Sequence, residues 1–386
     1  MFSSFRLNSP LWSWGFRPFF LLAGLVSFLF IGIWLFLTVG DVHLRTVSSL
    51  LWHAHEMLFG FASAVLAGFL LTATSNWTGK PPVQGRVLVG LVILWTVGRL
   101  GVPLLRFPFF ALVDLSFFPA LMYVLWPYLA TKSQKRNWIF LGILSLLFLA
   151  NIIFYLNNLN FLKGPFFFEG IKLALNVFIA VILLIAGRVI PFFSSRVWGS
   201  PKVEPLPLLE KLQFLGMSLF IVTDFFLGYQ KYHQVVSAFL FCLLLYKWWR
   251  WKPLKSLNTP MLWILFLAYL WIIIGFLLVG LRIVFPQVSL FNSTHAFTVG
   301  GLGLVTYGMM TRVALGHTGR PIRASRWIVG AYYFLALAAI VRVFVVGFFP
   351  HFYDLWILVA GVLWMLAFLV FLIQYAPVLV QPRYRS

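Results

Sequence analysis

The stretch WHAHEMLFGFASAVLAGFLLTATSNWTG at residues 52–79 decides the fold, because an altered copy of it follows 240 positions later, from His55 to His295. Each copy opens with a histidine at the head of an apolar segment and closes on a Thr-Gly dipeptide, at Gly79 and at Gly319, followed by a basic residue and a proline. Glycine ends helices and proline blocks their continuation, so each copy predicts one helix with a defined end.

The two copies define an internal repeat, 52–90 and 292–330, that covers spans 2–3 and 10–11 of the helices predicted below. Related helices place equivalent residues at the same depth in a membrane. His55 and His295 are therefore expected to present their ring nitrogens at one level, where a planar metal cofactor fits between them.

Composition identifies an all-α polytopic membrane protein. Of 386 residues, 62% are hydrophobic and 10% are charged, and the mean hydropathy is +0.97; soluble domains carry about 25% charged residues. The net charge of +21 lies in short loops between apolar segments, which indicates a role in membrane orientation and excludes a nucleic-acid surface. Cys242 is the single cysteine, so an intrachain disulfide and a covalent C-x-x-C-H haem attachment are excluded.

The apolar segments predict about twelve transmembrane helices within a single transmembrane domain, 1–386. They lie at 16–38, 52–74, 87–105, 108–130, 138–157, 167–187, 208–228, 232–247, 260–284, 293–313, 326–347 and 353–376. The turn at Gly187–Pro191 predicts the end of span 6, and 188–207 predicts a cytoplasmic crossover between two halves of six spans.

Lysine and arginine assign an orientation to these spans. The termini and the even-numbered loops hold 21 of them, whereas the odd-numbered loops hold only Arg45, Arg106, Lys163 and Lys231. Cytoplasmic loops are enriched in Lys and Arg, so both termini are expected in the cytoplasm.

With this orientation the polar groups collect near the outer face. Only His317 faces the cytoplasm; the outward histidines are His43, His53, His55, His233, His295 and His351. Arg99, Arg282 and Arg342 lie towards the outer ends of spans 3, 9 and 11. Charges inside a membrane mark functional sites by default, and arginines that outnumber carboxylates call for an anion. Two simpler interpretations remain open: such arginines reach the lipid headgroups, and single histidines anchor spans at the interface.

Several stretches together resemble the NnrS family over essentially the whole chain. They are Gly15-Phe16-Arg17-Pro18-Phe19-Phe20, Trp52-His53-Ala54-His55-Glu56-Met57, Asn76-Trp77-Thr78-Gly79, Gly187-Arg188-Val189-Ile190-Pro191 and the block from His295 to Arg312. The resemblance implies a haem- and copper-containing protein of the bacterial inner membrane, linked to nitric oxide, denitrification and tolerance of nitrosative stress. The topology also resembles the catalytic subunit of haem–copper oxidases, but spans 6 and 7 lack the histidines expected for the second metal there.

These inferences combine into one prediction: a b-type haem near the periplasmic face with His55 and His295 as axial ligands. Arg99, Arg342 and Arg282 are expected to pair with the haem propionates. His53 and Glu56 are the candidate ligands of a copper ion, although a hydrogen-bonded His–Glu pair is the commoner arrangement.

The predicted function is nitric oxide handling, by redox turnover as a nitric oxide-converting oxidoreductase or by control of nitrosyl species, with a quinol or another electron donor as partner. The alternative is a twelve-span secondary transporter or metal permease. Transporters carry their polar groups at the membrane midplane, and the outward position of the polar groups disfavours that class.

Overall fold

The structure is a computed structural model, and it describes residues 9–40, 47–103, 108–159, 161, 168–228 and 230–384. Within these residues twelve continuous helical stretches follow one another: α1 Phe16–Val39, α2 Ser49–Thr78, α3 Gly85–Gly98, α4 Pro108–Leu129, α5 Ile139–Asn158, α6 Glu169–Trp198, α7 Pro207–Leu227, α8 Lys231–Arg250, α9 Pro260–Leu281, α10 290–317, α11 326–348 and α12 Tyr353–Val380. His43, Arg45, Arg106 and Lys163 lie outside the described residues.

Each of the twelve predicted spans coincides with one of these helices. Eight of the helices in the described part of the chain are long and apolar enough to cross a membrane: α1, α2, α4, α5, α6, α9, α11 and α12. The chain is therefore an all-helical, multi-pass membrane protein. Whether α3, α7, α8 and α10 also cross, as the sequence predicts, stays a prediction.

The helices α2 and α10 share the same sequence of local structures. Each starts on a serine, Ser48 or Ser289, whose side chain accepts a backbone N–H of the first turn. Each turns π-helical directly after its histidine, at Glu56–Ala62 and at Ala296–Gly303. Single-turn π-helical insertions are rare and concentrate at functional sites.

The end of α6 differs from the prediction. The helix runs through Gly187 and Pro191 to Trp198, so the expected terminus at Gly187–Pro191 is wrong and the 188–207 crossover shortens to 199–206. Proline removes one backbone hydrogen bond, and a helix buried among neighbours tolerates that loss.

The chain divides into two compact units. The first comprises Met1–Ala174, Met310–Ile322 and Phe368–Ser386, and the second Leu175–Met309 and Arg323–Ala367. In the first unit α1 packs on α2, and α4 packs on α2, α3 and α5. In the second, α8 packs between α7 and α9, and α9 packs on α10. The expectation of a single domain stays a prediction.

Candidate functional site

A buried cluster of polar side chains occupies the first unit, and His55 is at its centre. The His55 Nδ1 atom lies 3.0 Å from Glu56 Oε1. Its Nε2 atom lies 3.1 Å from Asn151 Oδ1 and 3.3 Å from Asp114 Oδ2. His55 and Glu56 are fully buried, and Asp114 and Asn151 are each 1% exposed. We call His55, Glu56, Arg99, Asp114, Asn151 and Tyr155 the His55 cluster.

The partners of His55 define its charge. The Nδ2 atom of Asn151 donates to Asp114 Oδ2 at 3.1 Å, which orients the amide so that Oδ1 faces the histidine. With Glu56 and Asp114 ionised, both ring nitrogens of His55 face oxygens that only accept hydrogen bonds, so both donate and His55 is an imidazolium.

Arg99 supplies the second positive charge of the cluster. Its Nη1 atom donates to Glu56 Oε2 at 3.0 Å, its Nη2 donates to Asp114 Oδ1, and its Nε donates to the backbone oxygen of Trp95 at 3.2 Å. Two carboxylates thus meet one guanidinium and one imidazolium, and the buried charges cancel. A buried charge that lacks its partner is costly, so the four groups depend on one another.

Four helices bring these residues together. His55 and Glu56 stand where the π-helical segment of α2 begins, Arg99 follows the last residue of α3, Asp114 is on α4, and α5 supplies Asn151 and Tyr155. Asn151 and Tyr155 are four residues apart, so they share one helix face. The Tyr155 hydroxyl donates to Asp114 Oδ2 at 2.9 Å.

Glycine lets α3 approach the cluster. A Cβ on Gly98 would lie 3.0 Å from Asp114 Oδ1, and a Cβ on Gly101 would collide with the Tyr155 hydroxyl. These two positions leave no room for a side chain, so the segment that carries Arg99 can lie directly against Asp114.

His53 points elsewhere than His55, as expected for residues two apart on a helix. Its ring stacks on Trp34 in the same unit, with the centroids 4.3 Å apart and the planes at 25°. Both oxygens of Glu56 are engaged by His55 and Arg99. In the part of the chain that the structure describes, no group of three or more His, Cys, Asp and Glu side chains could hold a metal ion.

His295 has a different environment in the second unit. Its Nδ1 lies 2.8 Å from the backbone oxygen of Phe291, one turn earlier on α10, and the two rings lie 4.0 Å apart. The guanidinium of Arg342, a buried residue in the π-helical segment Val341–Val345 of α11, lies 4.5 Å from the centre of the Phe291 ring. The sequence predicts that His295 and Arg342 belong to one haem site. In the structure both side chains contact the same ring, that of Phe291.

The glycines that follow His295 accommodate neighbouring side chains. A Cβ on Gly300 would meet Trp271, one on Gly301 would meet Ile272, and one on Gly303 would meet Trp364. Side chains of neighbouring helices therefore occupy the space beside these glycines, as in ordinary helix packing.

Arg282 lies just beyond the end of α9 in the second unit. Its Nη1 donates to the backbone oxygen of Val288, and the side chain borders a cavity of about 610 Å³ with Lys231, Tyr232 and Gln234.

Three of the six residues of the His55 cluster, Asp114, Asn151 and Tyr155, were not among the residues predicted from the sequence. Asp114 is an acidic residue inside an apolar span, which is a signal that could have been used. Asn151 and Tyr155 carried only the weaker signal of their spacing by four. Likewise overlooked in the second unit were the pair of Asn176 with Asp224, at 2.6 Å, and the pair of Lys247 with Glu210, at 2.7 Å.

The residues predicted to hold a haem differ in how well their hydrogen-bond partners suit that role. A histidine that ligates a metal donates its other ring nitrogen to a carbonyl or carboxylate, and His295 has this arrangement through Phe291. His55 does not fit as it stands, because neither nitrogen has an electron pair to offer. Arg99 likewise has two carboxylate partners already.

The apolar helices bury a cluster of compensating charges in the first unit and further polar pairs in the second. These features define a multi-pass helical membrane protein. The chain belongs to the NnrS family: the family model described as NnrS protein matches residues 10–383, nearly the whole chain. That family is known as metal-binding, and membership fits a membrane protein related to nitric oxide. No curated protein matches the chain.

Proposed function

We propose that this protein handles nitric oxide at a b-type haem that is ligated by His295 near the outer membrane face. The observation that carries the proposal is the Nδ1 contact of His295 with the Phe291 carbonyl. This contact places the proton on Nδ1 and so leaves the electron pair on Nε2, which is the tautomer that a metal requires.

Arg342 is the cation that we assign to the haem propionates. It is 5% exposed, and its guanidinium lies over the Phe291 ring, whose centroid is 4.0 Å from that of the His295 ring. Arginine binds carboxylates through two parallel hydrogen bonds. Arg282 remains a second candidate for this role, and Arg99 is the weaker one because of its existing ion pairs.

His55 as the second haem ligand stays a prediction, and the contacts of His55 support it less than those of His295 do. To ligate iron, His55 would have to lose a proton, and Glu56 and Asp114 would then share Arg99 as their single cation. His295 would hold the haem as its single protein ligand, and the bound group would then supply the site for nitric oxide. We therefore assign His295 as the principal ligand.

The copper prediction on His53 and Glu56 has less support. The Glu56 oxygens already serve His55 and Arg99, and His53 stacks on Trp34. Copper remains a prediction that metal analysis of the purified protein decides.

The setting of this centre is also part of the proposal. We infer a bacterial inner-membrane protein with twelve spans, cytoplasmic termini and an internal repeat. The support is the coincidence of twelve helices with the twelve predicted segments, and the serine start, the π-helical segment after the histidine and the glycine end that α2 and α10 share.

The test is an optical spectrum and a metal analysis of the purified protein and of His295→Ala. We expect a haem absorbance in the native protein and its loss in the variant, with helix content unchanged. His351→Ala removes an exposed histidine and is the matched control, which should keep the absorbance. Full absorbance in His295→Ala refutes the ligand assignment.

Turnover is tested separately. Consumption of nitric oxide by the pure protein with a quinol donor supports an oxidoreductase. A colourless protein that instead carries a labelled ion or metabolite into vesicles supports the transporter alternative and overturns the haem proposal.

A further inference from the structure

The first unit has a cavity of about 500 Å³ beside the N-terminal end of α1 and the C-terminal ends of α2, α10 and α12. Its lining residues are Pro10, Ser13, Trp14, Arg17, Asn76, Gly316, His317, Pro382 and Arg383. They come from the segment before α1 and the start of α1, the end of α2, the end of α10 and the segment after α12. None of these residues belongs to the His55 cluster.

Arg17 is the buried cation of the cavity. Its side chain is 3% exposed, and its Nη1 donates to the backbone oxygens of Leu379 at 2.8 Å and of Gln381 at 2.6 Å. Its Nε is buried and has no hydrogen-bond partner among the described residues. A guanidinium held by carbonyl oxygens keeps its full charge, because carbonyls are neutral.

The charged side chains around this cavity are all arginines. Arg383 lines it beside Arg17, and the His317 ring lines it as a further hydrogen-bonding group. Arg320 is close by, since its Nη2 donates to the side chain of Gln381 at 3.0 Å. Trp14 and Phe16 flank the His317 ring at centroid distances of 5.7 and 5.6 Å.

No described carboxylate of this unit is available to balance these cations. Glu56 and Asp114 are bound within the His55 cluster, and Glu169 pairs with Lys172 at 2.7 Å. Arginines gathered without carboxylates around a cavity need an anion from elsewhere, and their fork of N–H donors matches the oxygens of a phosphate.

We propose that this cavity binds a phosphate-type oxyanion, with Arg17, Arg383 and His317 as its ligands. The size of the cavity favours the phosphodiester headgroup of an anionic lipid over a free ion, since a single phosphate would fill only part of it. The position agrees, because the ends of membrane-spanning helices lie at headgroup level and the predicted orientation places this end at the cytoplasmic leaflet.

The test measures lipid binding to the purified full-length protein in phosphatidylcholine nanodiscs by native mass spectrometry. We expect phosphatidylglycerol to be retained in preference to phosphatidylcholine. Arg383→Gln should weaken its retention about fivefold, as for an exposed ionic contact. Arg17→Lys keeps a charge at the buried position and should also weaken it, because lysine lacks the planar fork.

The matched control is Arg136→Gln, which removes one charge from an exposed arginine outside the cavity, on the side predicted to be cytoplasmic. It should retain phosphatidylglycerol like the native protein. Addition of inorganic phosphate distinguishes a lipid headgroup from a soluble anion as the occupant. Displacement of the lipid at millimolar phosphate supports a site for phosphate-type oxyanions whose occupant is a soluble anion.

Equal retention of phosphatidylglycerol and phosphatidylcholine overturns the proposal. Equal loss of retention in Arg383→Gln and in Arg136→Gln also overturns it, because the effect would then be general surface charge. The haem absorbance should be native in all three variants, so the outcome is independent of the proposed function.

Discussion

At the scale of single residues, the protein depends on a small number of carboxylates that each serve several partners. Asp114 accepts hydrogen bonds from Arg99, Asn151 and Tyr155 and lies beside the His55 imidazolium. Removal of one charge in such a cluster leaves an uncompensated cation in a medium that solvates it poorly.

Asp114→Asn is accordingly expected to destabilise the protein by about 3 to 5 kcal/mol, because Arg99 and His55 would then share only Glu56. Thermal unfolding of the detergent-solubilised protein measures the effect. Asp354→Asn is the matched control, since Asp354 is exposed in the first turn of α12, and it should shift the midpoint little. Equal shifts for the two variants would show that the cluster does not stabilise the fold.

At the scale of helices, α2 and α10 both end on a glycine, but the two glycines have different neighbours. Both C-terminal glycines adopt a left-handed conformation, Gly79 with φ of 68° and Gly319 with φ of 75°. A Cβ on Gly79 would have no neighbour within 4 Å, whereas a Cβ on Gly319 would lie 2.6 Å from the backbone oxygen of Tyr384.

Gly79→Ala should therefore cost only the strain of the left-handed conformation, about 1 kcal/mol. Gly319→Ala should cost the same strain plus about 1 to 3 kcal/mol for the collision with the C-terminal segment. The two substitutions are chemically identical, so the difference in their unfolding midpoints measures the collision alone. A larger loss in Gly79→Ala would contradict the described contact.

At the scale of the whole molecule, the number of spans is the open point. Four helices fall short of the length or the apolar composition of a clear span: α3, α7, α8 and α10. The excess of Lys and Arg on one side depends on how many of them cross, because each single omitted span would exchange the sides of the loops that follow.

Cysteine labelling tests this arrangement. In a Cys242→Ser background, Gln287→Cys is expected outside and should react with a membrane-impermeant maleimide in intact cells. Glu204→Cys is expected inside and should react only after the membrane is permeabilised. Both positions are exposed, so a difference in labelling reports sidedness. Labelling of Glu204→Cys in intact cells would rule out twelve spans with cytoplasmic termini.

Much of the fold followed from the sequence because membrane helices are encoded locally. Twenty apolar residues in a row satisfy their own backbone hydrogen bonds, so the positions of the helices and the glycine ends at Gly79 and Gly319 could be predicted without knowledge of the packing. The end of α6 could not be predicted in this way, because a proline such as Pro191 ends a helix only where neighbouring helices do not stabilise it.

The candidate functional residues show the same division between properties encoded locally in the sequence and properties set by packing. A membrane protein of the NnrS family, with His55 and His295 in equivalent positions of two related helices, could be predicted from the amino-acid sequence. The difference between the two histidines arises from the packing of the helices. Asp114, Asn151 and Arg99 come from three other helices and convert His55 into a charged partner of carboxylates, whereas His295 keeps the backbone contact of a metal-ligand histidine. Protonation and ligation depend on which groups surround a ring in space, and that is set by packing between helices far apart in the chain.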